Sequence, residues 1–242
     1  MTGNKKLITI GIFLGVALVV SYLVFGSLTS SEQGQVRRDE VIAKLAKLEF
    51  KKQVSEEEQK KLSEEFATHQ VAVQQGLEEI QRQGERVESL LYWPIIYIGN
   101  IHRDAGAFDK AELAYAYASQ LQPRASVPYL NLAQMYFRDI KDYPKAAEIY
   151  EKAAAIDGFH LETVYDEWSK LVRFQLNDEK KAEQILIEGV ARYPQETNIL
   201  AMLANFYRDT GQTEKAIERY EELLRRKPDS IVAKNALKEL SP

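Results

Sequence analysis

YWPIIYIGNIHRDAGAFDKAELAYAYASQLQP, residues 92–123, decides the fold, because its pattern of small and bulky residues returns three more times before the C-terminus. The copies close on Pro123, Gly158, Pro194 and Pro228, and a period of about 34–35 residues marks one repeated supersecondary unit. In the first half of each copy a small residue stands between two larger ones: Ile95/Gly99/His102, Tyr129/Ala133/Tyr136, Tyr165/Ser169/Val172 and Leu200/Ala204/Tyr207. The second half runs Ala111/Tyr115/Ala118, Ala146/Tyr150/Ala153, Ala182/Leu186/Gly189 and Ala216/Tyr220/Leu223. Both halves have helical spacing and are separated by turns such as residues 104–108 and 209–213, so each copy is expected to be a helix hairpin. The small residue lets the facing helix approach closely, and the bulky ones fill the seam on either side.

Four such copies in register resemble the tetratricopeptide repeat family from residue 92 to the end of the chain. The resemblance implies an all-α fold whose core is a right-handed α-solenoid of four hairpins, at residues 92–123, 126–158, 162–194 and 197–228. Residues 231–240, with Ala233, Ala236, Leu237 and Leu240 on one side, read as a capping helix that covers the open end of the stack. The second and third copies each hold one extra residue near their internal turn, at residues 139–143 and 174–178, and the second closes on Gly158 where the family has proline.

Upstream of the repeats, residues 7–25, LITIGIFLGVALVVSYLVF, carry no charge, and a helix of that length spans about 28 Å, the thickness of a bilayer's hydrocarbon core. We read it as an N-terminal transmembrane helix. A cleaved signal peptide is the competing reading, but its apolar region is ordinarily about 7–15 residues long. Lys5 and Lys6 precede the run and the next cations are Arg37 and Arg38, so residues 1–6 are expected in the cytoplasm and the repeats on the extracytoplasmic side, the periplasmic face of a bacterial inner membrane. Gly11 and Gly15 form a G-x-x-x-G pair that would bring two such helices together as a homodimer, although small residues are common in membrane helices for other reasons. Residues 26–35 are polar and read as a flexible tether, and residues 36–84 as a helical hairpin. Ser55 followed by Glu56, Glu57 and Glu58 marks the start of the hairpin's second helix, which carries Leu62, Phe66, Val73, Leu77 and Ile80 and ends near Gly84. The hairpin either caps the first repeat or mediates self-association.

Composition narrows the function. With 32 Lys and Arg against 36 Asp and Glu the net charge is −4, which supplies no basic footprint for nucleic acid. The chain has no cysteine, which removes disulfides, thiolate nucleophiles and cysteine metal sites together. His69, His102 and His160 are far apart and none has a partner at metal-ligand spacing; His102 stands where other copies have Tyr136, Val172 and Tyr207 and reads as core. There is no phosphate loop and no nucleophile elbow, so no catalytic residue, metal or cofactor is assigned and an enzyme is not expected.

What remains is a surface. The resemblance implies that the first helix of each hairpin lines a concave groove for a peptide or a partner's helix. On this chain that helix carries Arg103, Arg138, Arg173 and Arg208, 35 residues apart, with Asn100, Gln134, Lys170 and Asn205 beside them. Trp93, Ile96, Val127 and Leu130 add apolar ground near its start. An arginine ladder beside amides suits an acidic segment or a C-terminal carboxylate. The other account is that Asp104, Asp139 and Asp209, each next to an arginine, neutralise the ladder between repeats. The family's chaperone-tail binders have lysine at the place of Ile96, so binding of that kind is not implied. The expectation is a membrane-anchored adaptor or scaffold that recruits a protein partner, in assembly or stabilisation of an envelope, secretion or respiratory complex. The alternative is a structural homo-oligomer that assembles through anchor and hairpin, with the repeats as spacers.

Overall fold

The computed structural model of the protein describes residues 30–156 and 160–240. Residues 7–25 with Gly11 and Gly15, the tail before them, residues 26–29 and Gly158 lie outside the described residues. Among the described residues no helix is long and apolar enough to cross a membrane.

Eleven α-helices are described, with no strand among the described residues. Two precede the repeats, α1 (Ser30–Leu45) and α2 (Glu56–Gln83). A 3-10 turn at Glu85–Leu91 then leads into the first hairpin, α3 (Tyr92–Asp104) and α4 (Phe108–Leu121). The second is α5 (Val127–Gln134), continued by a π-turn at Met135–Ile140, and α6 (Tyr143–Ala154). The third is α7 (Leu161–Phe174) and α8 (Glu179–Arg192), and the fourth α9 (Thr197–Asp209) and α10 (Thr213–Arg226). A last helix, α11 (Ile231–Leu240), buries Ala233 and Ala236. Each hairpin packs through its second helix on the first helix of the next, and α10 packs on α11 in the same way.

The local chemistry explains the boundaries. Ser55 Oγ accepts from the Glu58 N–H at 3.2 Å, and Asp142 and Asp178 do the same for Lys145 at 3.1 Å and Lys181 at 2.8 Å, satisfying amides that the first turn of a helix leaves open. Within each hairpin the turn is closed by a backbone bond to the carbonyl of the third bulky residue. In the first and fourth the donors are Ala107 to His102 and Gln212 to Tyr207, both at 2.8 Å. In the second and third they are Asp142 to Tyr136 at 2.9 Å and Asp178 to Val172 at 3.0 Å, one residue further on. That is where the extra residue of these copies goes. Lys141 and Asn177 take the left-handed conformation that Gly106 and Gly211 hold in the shorter turns, with φ of 62° and 54° against 79° and 71°.

Packing follows the small-residue pattern. A Cβ on Gly99 would meet the Tyr115 ring at 2.8 Å, and one on Gly189 would meet Tyr165 at 2.8 Å and Ile199 at 2.9 Å. These two glycines are therefore required by close approach, not by backbone conformation. Tyr115, Tyr150, Leu186 and Tyr220 are all buried in equivalent places.

Two expectations about the N-terminal region need correction. The chain is already helical at Ser30, inside the stretch read as a tether, because Glu32, Gln33 and Gln35 are good helix formers and Gly34 alone does not stop a helix already begun. Nor do α1 and α2 pack chiefly on each other: α1 lies against α4, and α2 against α3, which is the capping of the first repeat, one of the two roles left open for the pair. Val41 and Leu45 of α1, and Phe66, Val73 and Ile80 of α2, are buried in the core shared with the first hairpin. The segment that joins the two helices is stitched to that hairpin. Lys51 N–H donates to Ala105 O at 2.8 Å, Lys51 Nζ pairs with Asp109 at 2.6 Å, and Lys110 Nζ reaches Lys47 O at 2.5 Å. At the centre His102, fully buried, donates from Nε2–H to Leu45 O at 3.2 Å, with the Phe66 ring edge-on at 5.3 Å. A histidine stands there because that carbonyl needs a donor, which the Tyr136, Val172 and Tyr207 positions do not face.

Candidate functional site

The first helices α3, α5, α7 and α9 form one face of the stack, and the sequence-derived groove residues can be located on it one by one. The arginines fasten the repeats together. Arg103 Nε donates to Asp139 at 2.5 Å across the first seam, and Arg138 donates to Glu167 at 2.5 Å across the second. Across the third, Arg173 donates to the Asp209 carbonyl at 3.4 Å and stacks over Phe206 at 5.2 Å, while within its own hairpin it lies 3.6 Å from Glu179. Arg208, in the last repeat, pairs with its neighbour Asp209 at 3.0 Å. These partners are only in part those of the neutralising account: Asp139 and Asp209 take part, Asp104 forms no ion pair among the described residues, and Glu167 and Glu179 supply the rest.

The amides are partly used in the same way. Tyr115 OH donates to Asn100 Oδ1 at 2.8 Å and Tyr220 OH to Asn205 Oδ1 at 2.6 Å, while Gln134 Nε2 donates to Glu167 at 2.9 Å. Lys170 pairs within its own helix with Asp166 at 2.7 Å and keeps 60 % of its side chain exposed. Burial raises the pKa of Tyr115 and Tyr150, and for Tyr150 the bond to Glu167 adds to it, so both phenols remain protonated donors. Of the apolar set, Ile96 and Leu130 are buried in the seam and Val127 is half-buried, whereas Trp93 is 51 % exposed. Ile96 and Leu130 therefore serve the core and not an open floor.

Residues missed in the sequence complete the surface. Tyr97, exposed next to Trp93 with ring centroids 6.1 Å apart, carries the His69 ring stacked at 4.6 Å. Asn131 donates to Asn100 at 3.2 Å, and Glu167 accepts at once from Gln134, Arg138 and, at 2.6 Å, from Tyr150 OH. Tyr97, Asn131, Glu167 and Met202 occupy one repeat position, three residues before Asn100, Gln134, Lys170 and Asn205. That shared period was the signal that could have found them. Among the described residues no cluster of three His, Asp or Glu is arranged to hold a metal ion.

Comparison with known proteins agrees with this architecture. Two family models described as tetratricopeptide repeat match residues 128–160 and 173–240. Tetratricopeptide repeats are therefore present in this chain. The chain is similar to the crystal structure of BtubC from P. vanneervenii, at 18 % identity and a TM-score of 0.53, over 74 % of this chain and 82 % of that one. It is also similar to MamA, at 25 % identity and a TM-score of 0.44 over 65 % and 82 %, and to YrrB, a TPR protein with an unusual peptide-binding site, at 16 % and 0.42 over 68 % and 80 %. No curated protein matches the sequence. The fold is an all-α stack of tetratricopeptide-like hairpins, and proteins built from these repeats generally act as adaptors or scaffolds in protein–protein interaction.

Proposed function

We propose that this protein is a non-catalytic adaptor, held at a membrane by residues 7–25, whose row of first helices receives a segment of a protein partner. The observation that carries the reading is a division of labour on that row: polar fastenings close the seams, yet Trp93, Tyr97 and Lys170 stand in solvent on the same face. Exposed aromatic and long cationic side chains on a rigid scaffold are what peptide recognition uses. The anchor rests on the uncharged apolar run and the orientation on Lys5 and Lys6, which favour the repeats on the extracytoplasmic side; the role proposed there is assembly or stabilisation of an envelope, secretion or respiratory complex. The homo-oligomer alternative assembles the chain through residues 7–25, with Gly11 and Gly15, and the helices α1 and α2, leaving the repeats as spacers.

A photo-crosslinking residue placed at Trp93 or Lys170 in native membranes is expected to capture a protein of different sequence. The same probe at Ile187, exposed on the outer helix α8, is expected to capture none. Self-adducts alone would favour the oligomer, and equal capture from Ile187 would remove the inner face from the mechanism. Alkaline extraction is expected to leave the chain in the membrane fraction, and its release would refute the anchor.

A further inference from the structure

Between the third and fourth hairpins the inner face opens. A gap of about 240 Å³ lies there, floored by Leu186, Met202 and Phe206 and rimmed by Lys170, Arg173 and Arg208. Its origin can be read residue by residue. In the other three hairpins the equivalent of Leu186 is a tyrosine, Tyr115, Tyr150 or Tyr220, whose hydroxyl reaches up to a polar side chain on the inner face. Leucine has no ring and no hydroxyl, so the third hairpin lacks that filling. At the same height the first two seams are bridged by Asn131 to Asn100 and Gln134 to Glu167, whereas here Lys170 and Met202 face each other with no hydrogen bond across the seam between them among the described residues. The seam is still tied at its two ends, by Asn198 to Glu162 at 2.6 Å and by Arg173 to the Asp209 carbonyl at 3.4 Å, so the gap is a framed opening and not a loose joint.

We infer that this opening is the anchoring subsite of the face, and that it takes an apolar side chain, leucine, methionine or phenylalanine, carried next to a carboxylate on a partner segment. The inference rests on the adaptor reading and specifies its partner. Size argues for one side chain, since pockets for whole small molecules run to about 300–1,000 Å³. Charge argues for the carboxylate at Lys170: Arg173 has Glu179 at 3.6 Å and Arg208 has Asp209 at 3.0 Å, whereas Lys170 faces only Asp166 of its own helix. Lys170 is held only by a same-helix pair with Asp166, and a solvated pair of that kind is weak, so its ammonium is readily shared with an incoming anion. Asn205, its oxygen taken by Tyr220, has an NH2 group with no partner among the described residues and can donate to the backbone of the bound segment.

The test is selection of short random peptides on the full-length protein in detergent, followed by affinity measurement on the wild type, Leu186→Tyr and Lys170→Glu. Leu186→Tyr refills the gap with the ring the other hairpins already hold, and Lys170→Glu changes only an exposed side chain. The expected result is a selected set pairing an apolar residue with Asp or Glu, whose affinity falls about tenfold or more in both variants while their melting temperatures stay near the wild type. Should Leu186→Tyr not fold, Lys170→Glu carries the test alone. Failure to select any peptide, a selected set without that pair, or affinities untouched by a folded variant would overturn the subsite. If the Trp93 crosslink to a partner survives such a failure, the adaptor stands and the subsite alone falls; if that crosslink is also missing, the adaptor reading falls with it.

Discussion

Between the first and second hairpins Asn131 reaches Asn100, and between the second and third Gln134 reaches Glu167, whereas at the same height between the third and fourth Lys170 stands beside Met202. All four units stack second helix on following first helix, yet the N-terminal seams make a closed polar wall and the C-terminal one leaves an opening. The N-terminal end is fastened further by the segment that joins α1 to α2, stitched to the first hairpin through His102 and Lys110. The C-terminal end carries only the ten-residue α11 beyond the fourth hairpin among the described residues. In a repeat protein each unit meets only its neighbours, so one or two side chains per seam decide whether that seam is structural or available.

The contrast can be broken most strongly at Glu167. Its carboxylate, mostly buried, is the common acceptor for Gln134, Arg138 and the Tyr150 phenol. Glu167→Ala leaves these donors unpaired and is expected to destabilise the protein by about 2–3 kcal/mol, read by denaturant unfolding. Glu167→Gln can still accept from the phenol and should recover part of the loss. A loss below about 0.5 kcal/mol for the alanine variant would show that the second seam does not depend on this hub.

A smaller effect is expected at Gly99. A methyl there meets the buried Tyr115 ring at 2.8 Å and Ala114 at 3.1 Å, so Gly99→Ala forces the hairpin apart. Overpacking costs roughly 1–3 kcal/mol and the better helix propensity of alanine returns up to about 1, for a net loss of about 1–2. Unchanged or increased stability would mean that the first seam has slack the packing does not show.

The smallest and most local effect concerns pH. Burial holds the His102 pKa below its ordinary value of 6.5, with the Leu45 carbonyl bond opposing it and the charges of Lys110, Asp109 and Glu49 contributing less. The native state therefore keeps this imidazole neutral, while the unfolded chain takes up a proton as pH falls below about 6.5. Its stabilisation is complete above that value and is lost as pH falls toward the depressed native value. Protection factors of the amides in residues 45–52, taken relative to intrinsic exchange at each pH, are expected to fall on acidification before those in α9 and α10 do, and His102→Phe should abolish that difference. Uniform loss of protection along the chain would separate His102 from the stitching.

Much of the fold was legible in the sequence, and the reason is visible at particular residues. The Gly99, Ala133, Ser169 and Ala204 series, the capping Ser55, and the extra residues ahead of Asp142 and Asp178 all act within a few residues of chain, where local sterics and hydrogen bonding suffice. The site was less so. The arginine period was visible, but its partners Asp139, Glu167 and the Asp209 carbonyl lie in the next unit.

The sequence by itself determined the repeat period, the hairpins, the small-for-close-packing positions and the place of the turns, because each follows from the 3.6-residue helical repeat and the size of adjacent side chains. Only the tertiary structure decided that the arginines are spent on seams, that α1 lies against α4, and that Leu186 and Met202 leave an opening beside Lys170. These depend on how one helix is rotated and raised against the next, and that is set jointly by every side chain packed between them.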